Sequence, residues 1–236
     1  MNNIFSDGPE AIILCGGKGE RLRPITNDIP KPLVQINGKP ILHYVIEHLK
    51  KYNIEKIHIA CGYKSSLIEN YFSDTYYGVE IGIYDSGDVD IIKRIQDILL
   101  TVKNDILILY GDTISDVDIN KLVNSHREST KEMSMTVWPL KIAYGLVEID
   151  DNETVESFVE KPILDKWINI GYFYINKSYR NTIYNFDNFV SFLLESSNFK
   201  SINAYKHPGL HITVNTLSEL EDAKISINNI LENKGK

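Results

Sequence analysis

A short apolar run, Ala11 to Cys15, leads into Gly16-Gly17-Lys18-Gly19-Glu20-Arg21-Leu22. Glycines at such a bend let backbone N–H groups approach a phosphate chain closely. Two well-known phosphate loops are excluded by single residues. A Walker loop requires Ser or Thr after its lysine, but Gly19 follows Lys18. A dinucleotide fingerprint requires a third glycine where Leu22 stands. Residues 16–31 hold Lys18, Arg21, Arg23 and Lys31 against Glu20 and Asp28, a balance of +2 in a chain whose total is −7. A basic segment in an acidic chain reads as a local anion site. Pro30 and Pro32 fix the backbone on either side of Lys31, which suits a positioned cation better than a mobile one. Further on, a second apolar run, Ile106 to Tyr110, delivers Gly111 and Asp112. A carboxylate beside bound phosphates is a natural magnesium ligand, because that ion takes oxygen donors and bridges phosphates. Each piece alone has an ordinary reading: a tight turn, a rigid loop, a turn aspartate. A purely structural role leaves the gathering of basic residues around a glycine loop without a reason.

These residues need elements to hold them. Strand-like runs at Ala11–Leu14, Lys56–Cys61, Val79–Tyr84 and Asp105–Tyr110 alternate with helical patterns. The helices are expected after Pro40, over Ser65–Phe72 and over Asp90–Val102, where Ile91, Ile95, Ile98, Leu99 and Val102 form an apolar side. Asp116 and Asp118 read as the cap and first turn of the next helix. Strand–helix alternation implies parallel pairing with helical crossovers, so the glycine loop and Asp112 share the carboxyl edge of one sheet. The second half is richer in strands: Met133–Leu140, Gly145–Ile149, Val155–Glu160, Ile168–Ile175 and Ser201–Tyr205. Thr216 and Glu219 form a capping box that opens a C-terminal helix. The expectation is an α/β fold with a Rossmann-like mixed central sheet, helices on both faces and a single domain over residues 1–236. Residues of about 11–130 would form one half of it and about 131–220 the other, with 216–236 as the closing helix.

Composition sets the outer limits. The chain has 236 residues with an apolar fraction of 43%, too apolar for disorder. At this length roughly 70% of the surface can be buried, so no disulfide or metal is needed to complete a core. The longest apolar runs fall far short of the ~20 residues of a membrane helix, and no secretory signal pattern is visible. A cytoplasmic location, no membrane partner and no nucleic-acid partner are the expectations. Cys15 and Cys61 read as small buried residues rather than a redox pair, and Trp138 and Trp167 as core. His207 and His211 have helical metal-ligand spacing, but Pro208 and Gly209 between them argue for a loop.

The motifs GGKGERLRPIT, PKPL, YGD and VEKP occur in that order, the last at Val159–Pro162. This pattern resembles the sugar nucleotidyltransferase family across nearly the whole chain. Within it, Cys61-Gly62-Tyr63-Lys64, Asp85-Ser86-Gly87-Asp88, Lys93-Arg94 and His207-Pro208-Gly209 resemble the glucose-1-phosphate cytidylyltransferase branch. The resemblance implies transfer of CMP from CTP to a phosphorylated small-molecule acceptor, with release of pyrophosphate. It assigns Arg21, Lys31 and Asp112 to catalysis, and Leu14, Gly16, Gly17, Gly19, Arg21, Ser86, Gly87 and Gly111 to the nucleotide. Glu160 and Lys161 would meet the acceptor. Magnesium, with manganese as the alternative, would sit on Asp112, with Asn215 as a second candidate ligand.

Two departures from the family pattern stand out. The glycine-containing stretch that follows the counterpart of Asp85–Asp88 in the cytidylyltransferases is shortened, and Val89-Asp90-Ile91-Ile92 leads directly into Lys93-Arg94. The second metal carboxylate before the last helix is replaced by Thr213 or Asn215. The altered loop points away from a sugar, and the overall pattern resembles the cytidylyltransferases that act in the phosphoramidate modification of capsules, a resemblance that implies L-glutamine phosphate as the acceptor. A sugar 1-phosphate, phosphocholine, or a nucleotide-binding module without turnover remain as alternatives.

Overall fold

In a computed structural model, residues 8–73 and 78–232 are described. The first half contains β1 (Glu10–Leu14), β2 (Gln35–Ile36), β3 (Lys39–Pro40), α1 (Ile41–Lys51), β4 (Lys56–Cys61), α2 (Ser65–Ser73), β5 (Glu80–Asp85), α3 (Ile91–Leu99), β6 (Ile106–Tyr110), β7 (Thr113–Ser115) and α4 (Ile119–Ser129). The second half contains β8 (Met133–Lys141), β9 (Leu146–Ile149), β10 (Val155–Val159), β11 (Ile163–Ile175), α5 (Phe189–Asn198), β12 (Ile202–Lys206), β13 (His211–Thr213) and α6 (Leu217–Glu232).

Seven strands form one sheet in the order β12-β8-β11-β6-β1-β4-β5. β1 pairs in parallel with β4 and β6, β4 with β5, and β8 with β12. β11 runs antiparallel to both β6 and β8, so it alone in this sheet points the other way. The expected mixed α/β sheet with helices on both faces is what the chain forms.

Alternation in the central strands splits the core in two. Ala11, Ile13, Leu107 and Leu109 face α1 and α4 with Leu42, Val45, Ile46, Ile119 and Leu122. Ile12, Ile106 and Ile108 face α3 and α5 with Ile92, Ile95, Ile98, Phe189 and Phe192. Both faces are covered, which is why these strands read as continuous apolar runs rather than alternating ones. Burying one such side chain stabilises the fold by roughly 1.5–3 kcal/mol. A third cluster seats α6 through Leu220, Ala223 and Ile227 on Leu22, Val34, Ile36, Ile114 and Ile212. That contact ties the segment after the glycine loop to the C-terminal helix.

Several sequence expectations are corrected. α5 has no counterpart in the pattern reading. β11 begins at Ile163, five residues before the expected strand. Ile91 is exposed, and Ile92 takes the buried position on α3 instead. Asp118 caps α4 through the N–H of Lys121, whereas Asp116 belongs to a different contact, accepting from Leu210 N–H at 2.6 Å and lying 3.0 Å from His207 Nε2. Trp167 is 42% exposed with Lys206 Nζ 4.8 Å above its ring, so it is not core. The expected helical end at 233–236 lies outside the described residues. No helix among the described residues is long and apolar enough to cross a membrane.

Candidate functional site

The carboxyl ends of β1, β4, β5 and β6 share one edge, and a cleft of about 790 Å³ opens there. Its walls come from the glycine loop, from Lys31 and Pro32, from residues 88–94 and from Tyr110 to Asp112. Asn215 closes one side.

Each wall is shaped by a local constraint. Gly19 has φ +63°, and a Cβ there would lie 3.0 Å from Thr26 Cγ2 and 3.1 Å from Lys31 Cβ. Glycine suits that left-handed turn, where a side chain would press on Thr26 and Lys31. Thr26 Oγ1 donates to Gly19 O at 2.8 Å and holds the bend. Gly111 lets β6 close on β1: a Cβ would lie 2.6 Å from Cys15 Sγ, while its N–H donates to Leu14 O at 3.0 Å. Gly17 has open space around its Cα, on the cleft side of the loop.

The charged groups meet at one point. Lys31 Nζ lies 2.6 Å from Asp112 Oδ2 and 2.8 Å from Asn215 Oδ1. Arg21 Nη2 donates to the same Asn215 oxygen at 3.0 Å. The Lys31 side chain is only 11% exposed, as befits a cation fixed between two prolines. Asn215 is held by the start of α6: Glu219 accepts from its N–H at 2.7 Å, and the Glu219 N–H donates to Thr216 Oγ1. Two cations thus meet at one amide oxygen, with one of them also on the Asp112 carboxylate, beside the glycine loop that lines the cleft. Such a cluster of cations is suited to neutralising the charge of a bound anion.

Cys15 lines this cleft beside Cys61 on the neighbouring strand end. Burial pushes the Cys15 thiol well up and the Cys61 thiol to about 12. Both are packing groups rather than reactive ones.

The other sequence candidates stand apart from this point. Gly87 has φ +73°, and its N–H donates to Asp85 Oδ1 at 2.8 Å. The hydrogen bonds from Ser65 and then Gly87 hold the Asp85 carboxyl below its usual range. Ser86 and Gly87 lie outside the cleft lining, where Asp88, Val89 and Ile91 take their place. Glu160 and Lys161 are exposed, with Lys161 Nζ 3.9 Å from Glu160 Oε1, and they also lie outside that lining. The site brings Asn215, not Thr213, into the cleft. Two features escaped the sequence reading as site elements. One is the exposed ion pair of Lys18 with Asp88 at 2.8 Å across the cleft mouth. The other is Arg94, a charged residue on the buried side of α3, and that position was its signal.

A divalent ion can be tested against the donors present. No group of three or more His, Cys, Asp or Glu side chains suited to a metal exists among the described residues. The cleft offers Asp112 carboxylate oxygens and the Asn215 amide oxygen. That set fits magnesium, which is commonly held by one or two carboxylates with substrate phosphates completing its shell.

Residues 10–202 match the family described as Nucleotidyl transferase. The chain belongs to the nucleotidyl transferase family. This nucleotidyl transferase is 37% identical over 175 residues to the D-glycero-alpha-D-manno-heptose 1-phosphate guanylyltransferase of Campylobacter jejuni, covering 73% of this chain and 78% of that one. It is 30% identical over 241 residues to the glucose-1-phosphate cytidylyltransferase of Salmonella typhi, covering 89% and 92%. The structure of HddC from Yersinia pseudotuberculosis superposes with a TM-score of 0.73 at 23% identity, over 93% of this chain and all of that one. The family is one of enzymes, and the shared fold spans the chain.

Proposed function

We propose that this nucleotidyl transferase joins CMP from CTP to a phosphorylated small molecule and releases pyrophosphate. The observation that carries the reading is the meeting of Arg21, Lys31, Asp112 and Asn215 beside the glycine loop. An acceptor phosphate oxygen attacks the α-phosphorus, a new P–O–P bridge forms, and the β,γ-pyrophosphate leaves with the old bridging oxygen. Both reactants are anions, so catalysis is positioning and charge neutralisation. Leu14, Gly16, Gly17, Gly19 and Gly111 surround the triphosphate. Arg21 holds it and stabilises the leaving group, while Lys31 bridges the α-phosphate and the incoming phosphate. Asp112 and Asn215 would hold magnesium, whose contribution is further neutralisation of phosphate charge. Ser86 and Gly87 form the rim near the base. Glu160 and Lys161 serve the acceptor, and the half over 131–220 supplies that side of the fold.

The acceptor we favour is L-glutamine phosphate: the shortened loop before α3 argues against a sugar, and the choice of glutamine rests on the resemblance of the overall motif pattern. For phosphocholine, which wants an aromatic box, the two tryptophans each already carry a lysine on one face, Lys141 Nζ 4.1 Å over Trp138 and Lys206 Nζ 4.8 Å over Trp167. The 37% identity to a heptose-1-phosphate guanylyltransferase favours a second reading, GTP with a sugar 1-phosphate.

Phosphorus NMR separates these. CTP or GTP is incubated with magnesium and either L-glutamine phosphate or a sugar 1-phosphate. A new diphosphate signal and pyrophosphate with CTP and L-glutamine phosphate alone support the first reading. Product only from a sugar 1-phosphate supports the second. Nucleotide binding without pyrophosphate under all conditions sinks the enzyme assignment for this chain.

A further inference from the structure

Arg94 is a buried cation, only 4% exposed, and it forms no ion pair among the described residues. Its contacts are backbone carbonyls. Nη1 donates to Cys61 O at 3.2 Å, and Nη2 donates to Gly87 O at 2.8 Å and Val89 O at 3.0 Å. Its Nε has no partner among the described residues. The guanidinium also fills the space beside two glycines. A Cβ on Gly16 would fall 1.2 Å from Nη1, and one on Gly62 would fall 2.5 Å from the same atom. One side chain therefore touches the start of the glycine loop, the end of β4 and the 87–89 loop.

An unpaired buried charge is costly, and a fold keeps one only where something offsets it. Here three carbonyls offset part of the cost. The guanidinium lines the cleft beside Gly16, where a bound anion would offset more of that cost. The planar fork matters as much as the charge, because a lysine at this position is a single point and spans fewer of these carbonyls.

We infer that Arg94 is a positioning residue for the nucleotide, tying the 87–89 rim to the glycine loop so that the cleft presents a fixed frame to the base. This rests on the reading of the cleft as a nucleoside triphosphate site. Its consequence is selectivity. A rim held at two carbonyls discriminates between bases by where its backbone groups stand, and a released rim tolerates several bases.

The test uses the full-length enzyme with Arg94→Lys and Arg94→Met. Turnover is measured with CTP, GTP, UTP and ATP, and hydrogen–deuterium exchange is followed in the peptide over residues 84–92. In both variants the nucleotide KM is expected to rise about tenfold with kcat changing less than about threefold. The advantage of the best nucleotide over the next should fall at least about fivefold, and amides of the 84–92 peptide should exchange faster while β1 and β6 stay protected. A residue that served stability alone would lower the melting temperature and leave the nucleotide ranking intact. If Arg94→Met fails to fold, Arg94→Lys decides. Wild-type ranking and wild-type exchange in the lysine variant overturn the inference. If the wild-type enzyme turns over no nucleotide, the functional reading falls, and the exchange measurement alone decides whether Arg94 anchors the rim.

Discussion

At the scale of single residues, Asn215 stands out because it does two things with one atom. Its amide oxygen accepts from both Lys31 and Arg21, and its own N–H is fixed by Glu219. An amide holds both cations without adding a charge of its own, so Lys31 is paired only with Asp112 and Arg21 keeps its charge for phosphate. A carboxylate at this position would pair with them and would also strengthen a divalent ion site. Asn215→Asp is therefore expected to lower the magnesium concentration for half-maximal turnover about threefold and to raise the nucleotide KM by a similar factor. Titration of magnesium at fixed nucleotide checks it; an unchanged metal requirement would mean that the oxygen faces the cations alone. Arg21→Ala removes one of the two cations from the exposed side of the site. Turnover should drop about 100-fold with an unchanged melting temperature. Near-normal turnover would remove Arg21 from the mechanism.

At the scale of elements, the pairing of β6 with β11 positions the cleft floor. Tyr172 lies opposite Leu109, which brings Gly171 against Tyr110 at the end of β6. Gly171 has φ +78°, and a Cβ there would lie 2.3 Å from Tyr110 Cδ2. Asn169 accepts from the Gly171 N–H and donates to the Tyr110 hydroxyl at 3.4 Å, so the bend and the ring are coupled. Gly171→Ala should cost about 1–3 kcal/mol and displace Tyr110 toward the cleft. A urea melt and kcat measured together test this, and full stability with full turnover would show that the bend relaxes freely. The elements themselves were legible to different degrees. β4 is found at its expected limits, because Lys56–Cys61 is bounded on both sides by turn residues. α5 was not legible: Phe189, Phe192 and Ser196 are its buried positions, a stripe too sparse to announce a helix. β7 and β13 are three residues each and exist because they pair with one another.

At the scale of the whole molecule, folding buries ionisable groups that water would otherwise hold charged. Desolvation lowers His48 from the usual 6.5 to about 4, and it lowers His211 to about 4 as well. Both are therefore neutral in the folded state at neutral pH. Below about pH 6.5 the unfolded chain takes up protons that the folded chain refuses, so the unfolded state gains. Stability is expected to be full above pH 6.5 and to fall progressively as the pH drops to about 4. Thermal melting from pH 7 to pH 4 measures this, and His48→Gln should flatten part of the slope. A melting temperature that holds constant over that range would contradict it.

Sequence alone determined the chemistry of the cleft's residues and the alternating architecture that carries them. Composition, proline placement and glycine spacing act locally, so a basic glycine loop, a lysine between prolines and an aspartate after a buried strand are visible in one dimension. Tertiary structure decided which of them meet. Lys31 and Asp112 are joined only because β1 and β6 are neighbours, and Asn215 reaches them only because α6 packs on the segment after the glycine loop. Arg94 follows the same logic. Its place on the buried side of α3 is a local fact, but its three carbonyl partners come from two separate segments. Contacts between distant segments depend on sheet order and helix seating, and a single chain does not spell these out residue by residue.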